Sequence, residues 1–216
     1  IEYLSPGDVL VLNNTRVRPY RLRGVKTTGA NIEILLTKRL SDRVWEALAN
    51  PSRRLHLGTE VLFDKGLKCK TIQVREGGWR ILEFNEEVES YLDELGEVPL
   101  PPYIHRKVKE EDYQTIFARV NGSVAAPTAG IHFTDELLER IEAKGVEILY
   151  VTLHVGPGTF LPVRVEEIEK HYVLPEEIEV TEETAERINR ARSRGGKIVA
   201  VGTTVVRTLE SVAEED

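Results

Sequence analysis

Methionine is absent from the 216 residues, and cysteine occurs once, at Cys69. A single cysteine excludes a disulfide framework and a cysteine-rich zinc site. No apolar run approaches the roughly 18 residues of a membrane-spanning helix, and no segment resembles a signal peptide. These absences predict a cytoplasmic protein without a membrane partner. Because the chain starts at Ile1 and holds no methionine, we also expect native segments beyond both ends.

The chain also lacks an excess of positive charge. It contains 29 lysines and arginines and 36 aspartates and glutamates, which gives a formal net charge of −7. The total hides an asymmetry. Residues 1–82 contain 15 basic and 8 acidic side chains, whereas residues 83–216 contain 14 and 28. The N-terminal part can therefore meet a polyanion although the whole chain is acidic.

The spacing of apolar residues predicts a β-rich region followed by an α/β region. From Arg18 to Phe84, about five or six short strands predict a small antiparallel barrel or sandwich. The predicted turn centres are Asp42-Arg43, Lys65-Gly66 and Gly77-Gly78. Residues 85–95 have helical spacing, and Gly96 is expected to end that helix.

After Thr134, helix and strand patterns alternate. Thr134 and Thr181 are predicted N-caps of two helices, and buried strands are expected at 147–154 and 197–201. A third helix is expected after the turn at 202–204. This alternation predicts a mostly parallel sheet with helices on its faces.

The segment 13–24 is rich in arginine and contains no acid. If it is a strand, Arg21 and Arg23 share one face and Leu22 lies on the other. Two interpretations remain open for these arginines, together with Arg16 and Arg18. They form either a solvated strand edge or a strip that contacts phosphates.

The segment 113–134 contains a loop, 122–130, made almost entirely of small residues. Such a loop brings backbone N–H groups close to a ligand or simply packs tightly. His132 follows it, just ahead of the helix capped by Thr134. A lone histidine is more often structural than catalytic, but a helix N-terminus is a natural place for an anion.

Two further segments follow predicted strands. In 153–163, His154 ends a strand, and ligands of parallel sheets bind beyond such carboxyl ends. In 199–211, a Gly-Thr-Thr turn starts a helix on which Arg207 and Glu210 share a face. They form either a weak surface ion pair or an arginine that faces a ligand and is oriented by Glu210. The lysine of a Walker motif is absent, which disfavours an ATPase.

Six strings occur in order across almost the whole chain: VLNNTRVRPYRLRG, GEVPLPPYIHR, DYQTIFAR, GSVAAPTAGIHFT, LHVGPGTFLPV and VGTTVVRTLES. Together they resemble the S-adenosylmethionine:tRNA ribosyltransferase-isomerases of queuosine biosynthesis (the QueA family). The resemblance implies an α/β domain formed by residues 1–17 and 98–216. It also implies that a small antiparallel β-barrel domain, residues 18–97, interrupts it.

The resemblance also implies a reaction. The family transfers the ribosyl part of S-adenosylmethionine to 7-aminomethyl-7-deazaguanine at the wobble position of tRNA. The product is epoxyqueuosine, and adenine and methionine are released. S-adenosylmethionine is then a substrate, and neither a cofactor nor a metal is expected. The expected partner is the tRNA anticodon stem-loop, and we expect a monomer.

The roles implied by the resemblance fall on the segments above. His132 and His154 would be the general acid and the general base, in either order, and Arg207 would hold the methionine carboxylate. Gln114 and Thr115 would read the modified base. Arg16, Arg21 and Arg23 would hold tRNA phosphates. The other predicted substrate-binding residues are Tyr103, Ser123, Pro127, Thr128, Ala129, Gly130, Gly156, Gly158, Thr159, Phe160, His171, Glu176, Gly202, Thr203, Thr204 and Glu210.

The chain departs from the family pattern at several points. The usual His-x-Met-His-x-Glu string keeps only His171 and Glu176, and Tyr20 replaces the alanine of Pro-Ala-Arg-Leu. A C-terminal Asn-Phe-His-Leu-Pro string is absent. Two other functions remain as alternatives. One is an RNA-binding module without activity, and the other is an S-adenosylmethionine-dependent methyltransferase, although the glycine-rich loop of the latter is missing after the first strand.

Overall fold

The computed structural model describes residues 1–100, 104, 110–160, 166–167, 169 and 173–214. By its internal contacts the chain forms two compact units. The first unit comprises Ile1–Val17 and Glu111–Asp216, and the second comprises Arg18–Glu110. The domain boundaries that the sequence predicts at 17/18 and 97/98 stay a prediction.

Within the described residues there are thirteen strands and four α-helices. The strands are β1 (Val9–Asn13), β2 (Thr15–Val17), β3 (Arg21–Lys26), β4 (Asn31–Arg39), β5 (Val44–Asn50), β6 (Glu60–Leu62), β7 (Lys68–Val74), β8 (Trp79–Phe84), β9 (Gly96–Glu97), β10 (Val120–Ser123), β11 (Glu147–Leu153), β12 (Ile178–Glu179) and β13 (Ile198–Ala200). The helices are α1 (Leu92–Leu95), α2 (Asp135–Ala143), α3 (Glu182–Ser193) and α4 (Thr203–Val212).

The first unit is built on a four-stranded sheet in the order β12-β11-β1-β13. The central strand β1 pairs in parallel with both β11 and β13, and β12 pairs antiparallel with β11. Beside this sheet, β2 and β10 form a separate parallel pair. The predicted α/β class with a mostly parallel sheet is therefore confirmed.

Both faces of β1 are buried, which explains its continuous apolar run. Val9 and Val11 pack on one face against side chains of α3 and α4, among them Val205. Leu10 and Leu12 pack on the other face, in a cluster that includes Ile141 of α2. Helices on both faces hold β1 at the centre of the unit, so the residues that follow it are placed at the carboxyl edge of the sheet.

The predicted N-caps of two helices are confirmed. The Thr134 hydroxyl accepts a hydrogen bond from Leu137 N at 3.2 Å, and the Thr181 hydroxyl accepts one from Thr184 N at 3.2 Å. Each satisfies one of the N–H groups that a helix start leaves without an intrahelical partner. In the part of the chain that the structure describes, no helix has the length and apolarity needed to cross a membrane.

The second unit is a closed antiparallel barrel. Six strands pair in the order β3-β4-β5-β8-β7-β6, and β6 pairs again with β3 to close the ring. The short strand β9 also pairs with β3. The predicted turns at Lys65-Gly66 and Gly77-Gly78 are confirmed, with φ values of 57° and 77° and of 66° and 93°. Positive φ at two successive residues suits the right-handed twist of a tight hairpin.

The helix expected over 85–95 is wrong in its first part. Asn85 instead accepts a hydrogen bond from Lys68 N at 2.8 Å and donates one to the Gly66 carbonyl at 3.1 Å. These bonds, with one from Asn85 N to the Lys68 carbonyl at 3.0 Å, hold Asn85 beside β7, and residues 85–87 are not helical. A 3₁₀ turn, Val88–Tyr91, and the single turn of α1 follow, and Gly96 ends the helix as predicted.

Arg80 lies on the buried side of β8 with 6% of its surface exposed. Its guanidinium donates hydrogen bonds to the carbonyl oxygens of Leu55 at 2.7 Å, Trp79 at 2.7 Å, Arg75 at 3.2 Å and Ser52 at 2.5 Å. Among the described residues no carboxylate pairs with it. Arg80 therefore anchors the loop 51–55 through neutral carbonyl groups alone.

Candidate functional site

Asn13, at the carboxyl end of β1, connects three elements of the first unit. Its side chain donates to the Leu153 carbonyl at 3.0 Å and to the Thr204 hydroxyl at 3.2 Å. It accepts from Leu153 N at 3.1 Å and from Thr15 N at 3.1 Å. Asn13 is 2% exposed, so these bonds form away from water. They join the end of β11 and the start of α4 to the end of β1.

His154 follows β11 and takes part in a chain of hydroxyl groups. Its Nδ1 lies 2.8 Å from the Thr15 hydroxyl, which lies 2.7 Å from the Ser123 hydroxyl. The Ser123 oxygen accepts a hydrogen bond from Val155 N at 2.8 Å. Thr15 and Ser123 are fully buried. We name Asn13, Thr15, Ser123, His154 and Thr204 the carboxyl-edge cluster.

The pairing of β2 with β10 is shifted at Gly122, which lies beside the His154 ring. A methyl group at Gly122 would lie 2.6 Å from His154 Nδ1. Glycine at this bulge therefore lets the imidazole approach the backbone and reach Thr15. Burial lowers the pKa of His154, although the charges of Glu177 and Glu179 act in the opposite direction. Burial therefore favours the neutral form of this imidazole.

The small-residue loop of the sequence forms a 3₁₀ turn, Thr128–His132. A methyl group added at Gly202, the residue before α4, would lie 3.0 Å from the Ala129 side chain. Thr128 and Ala129 are exposed, whereas Pro127 and Gly130 are buried. The loop thus reaches the start of α4, next to Thr203 and Thr204. This brings two of the predicted segments together at one edge of the sheet.

His132, at the end of that turn, is exposed, and its side chain makes no hydrogen bond within the described residues. The second predicted histidine therefore lacks the fixed orientation of His154. Tyr103 and His171 lie outside the described residues, so their predicted roles are not placed by the structure.

Gln114 and Thr115 are engaged inside the first unit. The Gln114 amide accepts from Val17 N at 3.0 Å and donates to the Val17 carbonyl at 2.7 Å. Thr115 is 4% exposed, and its hydroxyl has no hydrogen-bond partner in the part of the chain that the structure describes. Gln114 thus ties β2 to the segment before β10, and the reading of a base by these two residues stays a prediction.

Arg207 pairs with a different acid from the one that the sequence suggested. Its guanidinium donates to a Glu176 carboxylate oxygen at 2.6 Å and to the Leu174 carbonyl at 3.2 Å. The other Glu176 oxygen accepts from Gly156 N at 2.8 Å. The interpretation in which Glu210 orients Arg207 is wrong, because Glu176 occupies that role and Glu210 is exposed without a bond to Arg207.

Through its two carboxylate oxygens, Glu176 connects Arg207 to the glycine loop that follows His154. That loop contains a 3₁₀ turn, Pro157–Phe160, and Leu174 lies 3.6 Å from a methyl group added at Gly158. Phe160 packs against Leu153, and Thr159 is exposed. The predicted residues Gly156, Gly158, Thr159, Phe160 and Glu176 therefore belong to one connected region of the first unit.

The arginines of the predicted phosphate strip face acids. Leu22 is buried between Arg21 and Arg23 as alternation predicts. Arg23 donates to both oxygens of Glu97 at 3.1 and 3.0 Å, and Arg21 lies 3.7 Å from a Glu33 oxygen. Cross-strand pairing of β3 with β4 and β9 places these glutamates opposite the arginines. The strip is therefore charge-compensated. Arg16 lies half-buried on β2.

Two residues of the carboxyl-edge cluster, Asn13 and Thr15, escaped the sequence-based selection of site residues. The signal that could have found them is a pair of asparagines directly after a strand that is apolar throughout. Among the described residues there is no group of three or more His, Cys, Asp or Glu side chains that could hold a metal ion. A cavity of about 610 Å³ lies at the opposite edge of the sheet, beside Asp8 and Lys197, and holds none of the predicted site residues.

Three comparisons bear on this arrangement. A family model described as "Queuosine biosynthesis protein" matches residues 1–216. Proteins of Thermotoga petrophila and Thermotoga sp. (strain RQ2), each named S-adenosylmethionine:tRNA ribosyltransferase-isomerase, are 51% identical over 213 residues. The match covers 99% of this chain but only 64% of each relative. A solved S-adenosylmethionine tRNA ribosyltransferase from Thermotoga maritima is 35% identical, with a TM-score of 0.37, over 100% of this chain and 58% of that one.

Proposed function

Because the chain belongs to the queuosine biosynthesis protein family, we propose that the whole protein transfers the ribosyl part of S-adenosylmethionine to tRNA. The acceptor is the aminomethyl group of 7-aminomethyl-7-deazaguanine at the wobble position, and the product is epoxyqueuosine. The observation that carries the proposal is a half-buried histidine, His154, whose Nδ1 lies 2.8 Å from the buried Thr15 hydroxyl at the carboxyl edge of a parallel sheet. Ligands of such sheets bind at this edge.

The chemistry needs two kinds of group. The positive sulfur of S-adenosylmethionine acidifies the neighbouring C5′ protons, so a base is needed at that end. Adenine leaves readily only when a ring nitrogen receives a proton or a strong hydrogen bond, so a donor is needed at the other end. His154 and His132 are the candidates among the described residues.

The surrounding residues support binding of the small molecule at this edge. The exposed turn at 128–129 and the loop after His154 expose backbone next to the carboxyl-edge cluster. Arg207 is 42% exposed at its side chain while it contacts Glu176, so a ligand can reach this side chain. We propose that Arg207 binds the methionine carboxylate from that side.

The tRNA is expected to present its anticodon loop with the wobble base turned out of the stack, since enzymes reach such a base in a single-stranded loop. The barrel unit, Arg18–Glu110, contains 17 basic and 14 acidic side chains, whereas the rest of the chain contains 12 and 22, which favours the barrel as the tRNA-facing unit. A cytoplasmic location and a monomeric state remain part of the proposal.

Incubation of the full-length protein with S-adenosylmethionine and tRNA that bears the aminomethyl base tests the reaction. We expect free adenine and a ribosyl-sized mass gain on the tRNA. The matched control is the same tRNA with unmodified guanine at the wobble position, which should gain no mass. A methyl-sized gain would identify a methyltransferase, and binding without a mass change would identify an RNA-binding module; either result refutes the proposal.

The phosphate strip has a separate test. Replacement of Arg21 and Arg23 with alanine should reduce the slope of log affinity for tRNA against log salt by about one for each lost phosphate contact. Because Glu97 and Glu33 compensate these arginines in the free protein, RNA would have to displace the carboxylates. An unchanged slope would show that both arginines serve the barrel alone. Arg54→Ala, on the loop anchored by Arg80, is the control: it removes one exposed arginine outside the strip, and its salt slope is compared with that of the strip variant.

A further inference from the structure

The hydrogen-bond chain at His154 has a direction. Ser123 Oγ accepts from Val155 N–H, and the Ser123 hydroxyl has one proton to donate. The Thr15 hydroxyl is the acceptor within reach, at 2.7 Å, among the described residues. The Thr15 hydroxyl, which then accepts from Ser123, has His154 Nδ1 at 2.8 Å as the acceptor for its own proton. The two hydroxyl protons, of Ser123 and Thr15, both have acceptors only when His154 Nδ1 is unprotonated.

The reverse direction leaves one group without a partner. If Nδ1 carried the proton, it would donate to Thr15, and Thr15 would donate to Ser123. The Ser123 hydroxyl proton would then have no acceptor, and Ser123 is fully buried. A buried polar group without a partner costs about 1–3 kcal/mol, which corresponds to a factor of about 5 to 150 between the two arrangements.

We propose that Thr15 and Ser123 are positioning residues that hold His154 as the Nε2–H tautomer. The ring nitrogen that is not held, Nε2, has no hydrogen-bond partner among the described residues and carries the proton. His154 can therefore donate a hydrogen bond to a ligand, and it has no free lone pair with which to accept a proton.

The catalytic role of this Nε2–H group rests on the proposed function. In ribosyl transfer, an N–H donor suits the ring nitrogen of the leaving adenine, where negative charge develops as the glycosidic bond breaks. A base for the C5′ proton must then come from another group, and His132 is the remaining histidine of the two. Of the two roles that the sequence left open for His154, the proposal therefore assigns it that of the acid.

Nitrogen-15 NMR of protein labelled at its five histidines tests the tautomer directly, at about pH 8.5, where imidazoles are neutral. His154→Gln identifies the His154 signals. In the wild type we expect Nδ1 at an unprotonated shift and Nε2 at a protonated one, with a ratio of tautomers of about fivefold or more. A protonated Nδ1 in the wild type overturns the proposal whether or not the protein transfers ribosyl groups.

Variants test the role of the hydroxyls. Thr15→Val removes the donor to Nδ1, so the two nitrogen shifts should move towards each other as the tautomers mix. Thr15→Ser keeps the hydroxyl and should keep the wild-type shifts. Thr152→Val is the matched control, because it removes a buried hydroxyl that bonds to Asn14 at 2.7 Å and not to His154. Unchanged shifts in folded Thr15→Val would overturn the proposal, and if that variant does not fold, the wild-type ratio decides.

Kinetics separate positioning from general stability. Thr15→Val should lower kcat by about two- to fivefold, in proportion to the fraction of His154 that leaves the Nε2–H form, with little change in KM, and Thr15→Ser should restore it. Equal losses in Thr15→Val and Thr152→Val would assign Thr15 a purely structural role. Absence of ribosyl transfer in the wild type would refute the proposed function while leaving the NMR result interpretable.

Discussion

Replacement of His154 with alanine is expected to lower turnover by about 10²- to 10⁴-fold, the range found when a group that donates or transfers a proton is removed. The same range is expected for His132→Ala. Turnover is measured as adenine released from S-adenosylmethionine in the presence of the modified tRNA. Wild-type turnover in both variants would refute an acid–base role for either histidine.

Two further variants sharpen this result. His56→Ala is the matched control, because His56 is an exposed histidine of the barrel and should leave turnover unchanged. His154→Gln retains an amide N–H donor but supplies no base. If His154 acts as a hydrogen-bond donor, His154→Gln should keep more turnover than His154→Ala, and equal losses would contradict that role.

Replacement of Arg80 with methionine should destabilise the barrel by about 3 kcal/mol, because it removes the hydrogen bonds that a buried guanidinium donates to four carbonyl oxygens. Methionine fills much of the volume, so the loss reports the hydrogen bonds rather than a cavity. Both tryptophans of the chain, Trp45 and Trp79, lie in the barrel. Tryptophan fluorescence during urea unfolding therefore measures this unit, as a lower midpoint with an unchanged slope.

Two comparisons identify the cause. Arg80→Lys keeps the charge but loses the planar fork that reaches several carbonyls, so it should recover only part of the stability. Arg54→Ala removes an exposed arginine from the anchored loop and should change stability by less than about 0.5 kcal/mol. A midpoint for Arg80→Met equal to that of Arg54→Ala would show that the anchored loop adds nothing to the barrel.

Local chemistry explains which parts of the fold the sequence predicted. Helix caps and hairpin turns depend on residues close together in the chain, so they can be predicted from the sequence alone. This applies to the caps at Thr134 and Thr181 and to the turns at 65–66 and 77–78. The continuous apolar run of β1 likewise reveals a strand buried on both faces. The helix expected from residue 85 failed because Asn85 is held by Lys68, a partner 17 positions away that periodicity does not show.

The same distinction applies to the candidate site. His154 was predicted because it ends a strand, and strand ends are visible in the sequence. The partner of Arg207 was missed because Glu176 lies 31 residues away, beyond any helical spacing. Neutralisation of Arg21 and Arg23 was missed because it depends on strand register, which places acids of β4 and β9 opposite them. Thr15 and Ser123 are separated by 108 positions, so only the pairing of β2 with β10 brings them together.

The anchoring of the loop 51–55 by Arg80 differs in kind from the ion pairs that other arginines of the barrel make. A guanidinium keeps its proton throughout the usual range of solution conditions, and carbonyl oxygens do not titrate. The Arg23–Glu97 pair, in contrast, is weakened when salt screens its charges. High salt should therefore loosen the exposed side of β3 while the loop 51–55 keeps its place, so the barrel combines contacts that respond to ionic strength with an anchor that does not.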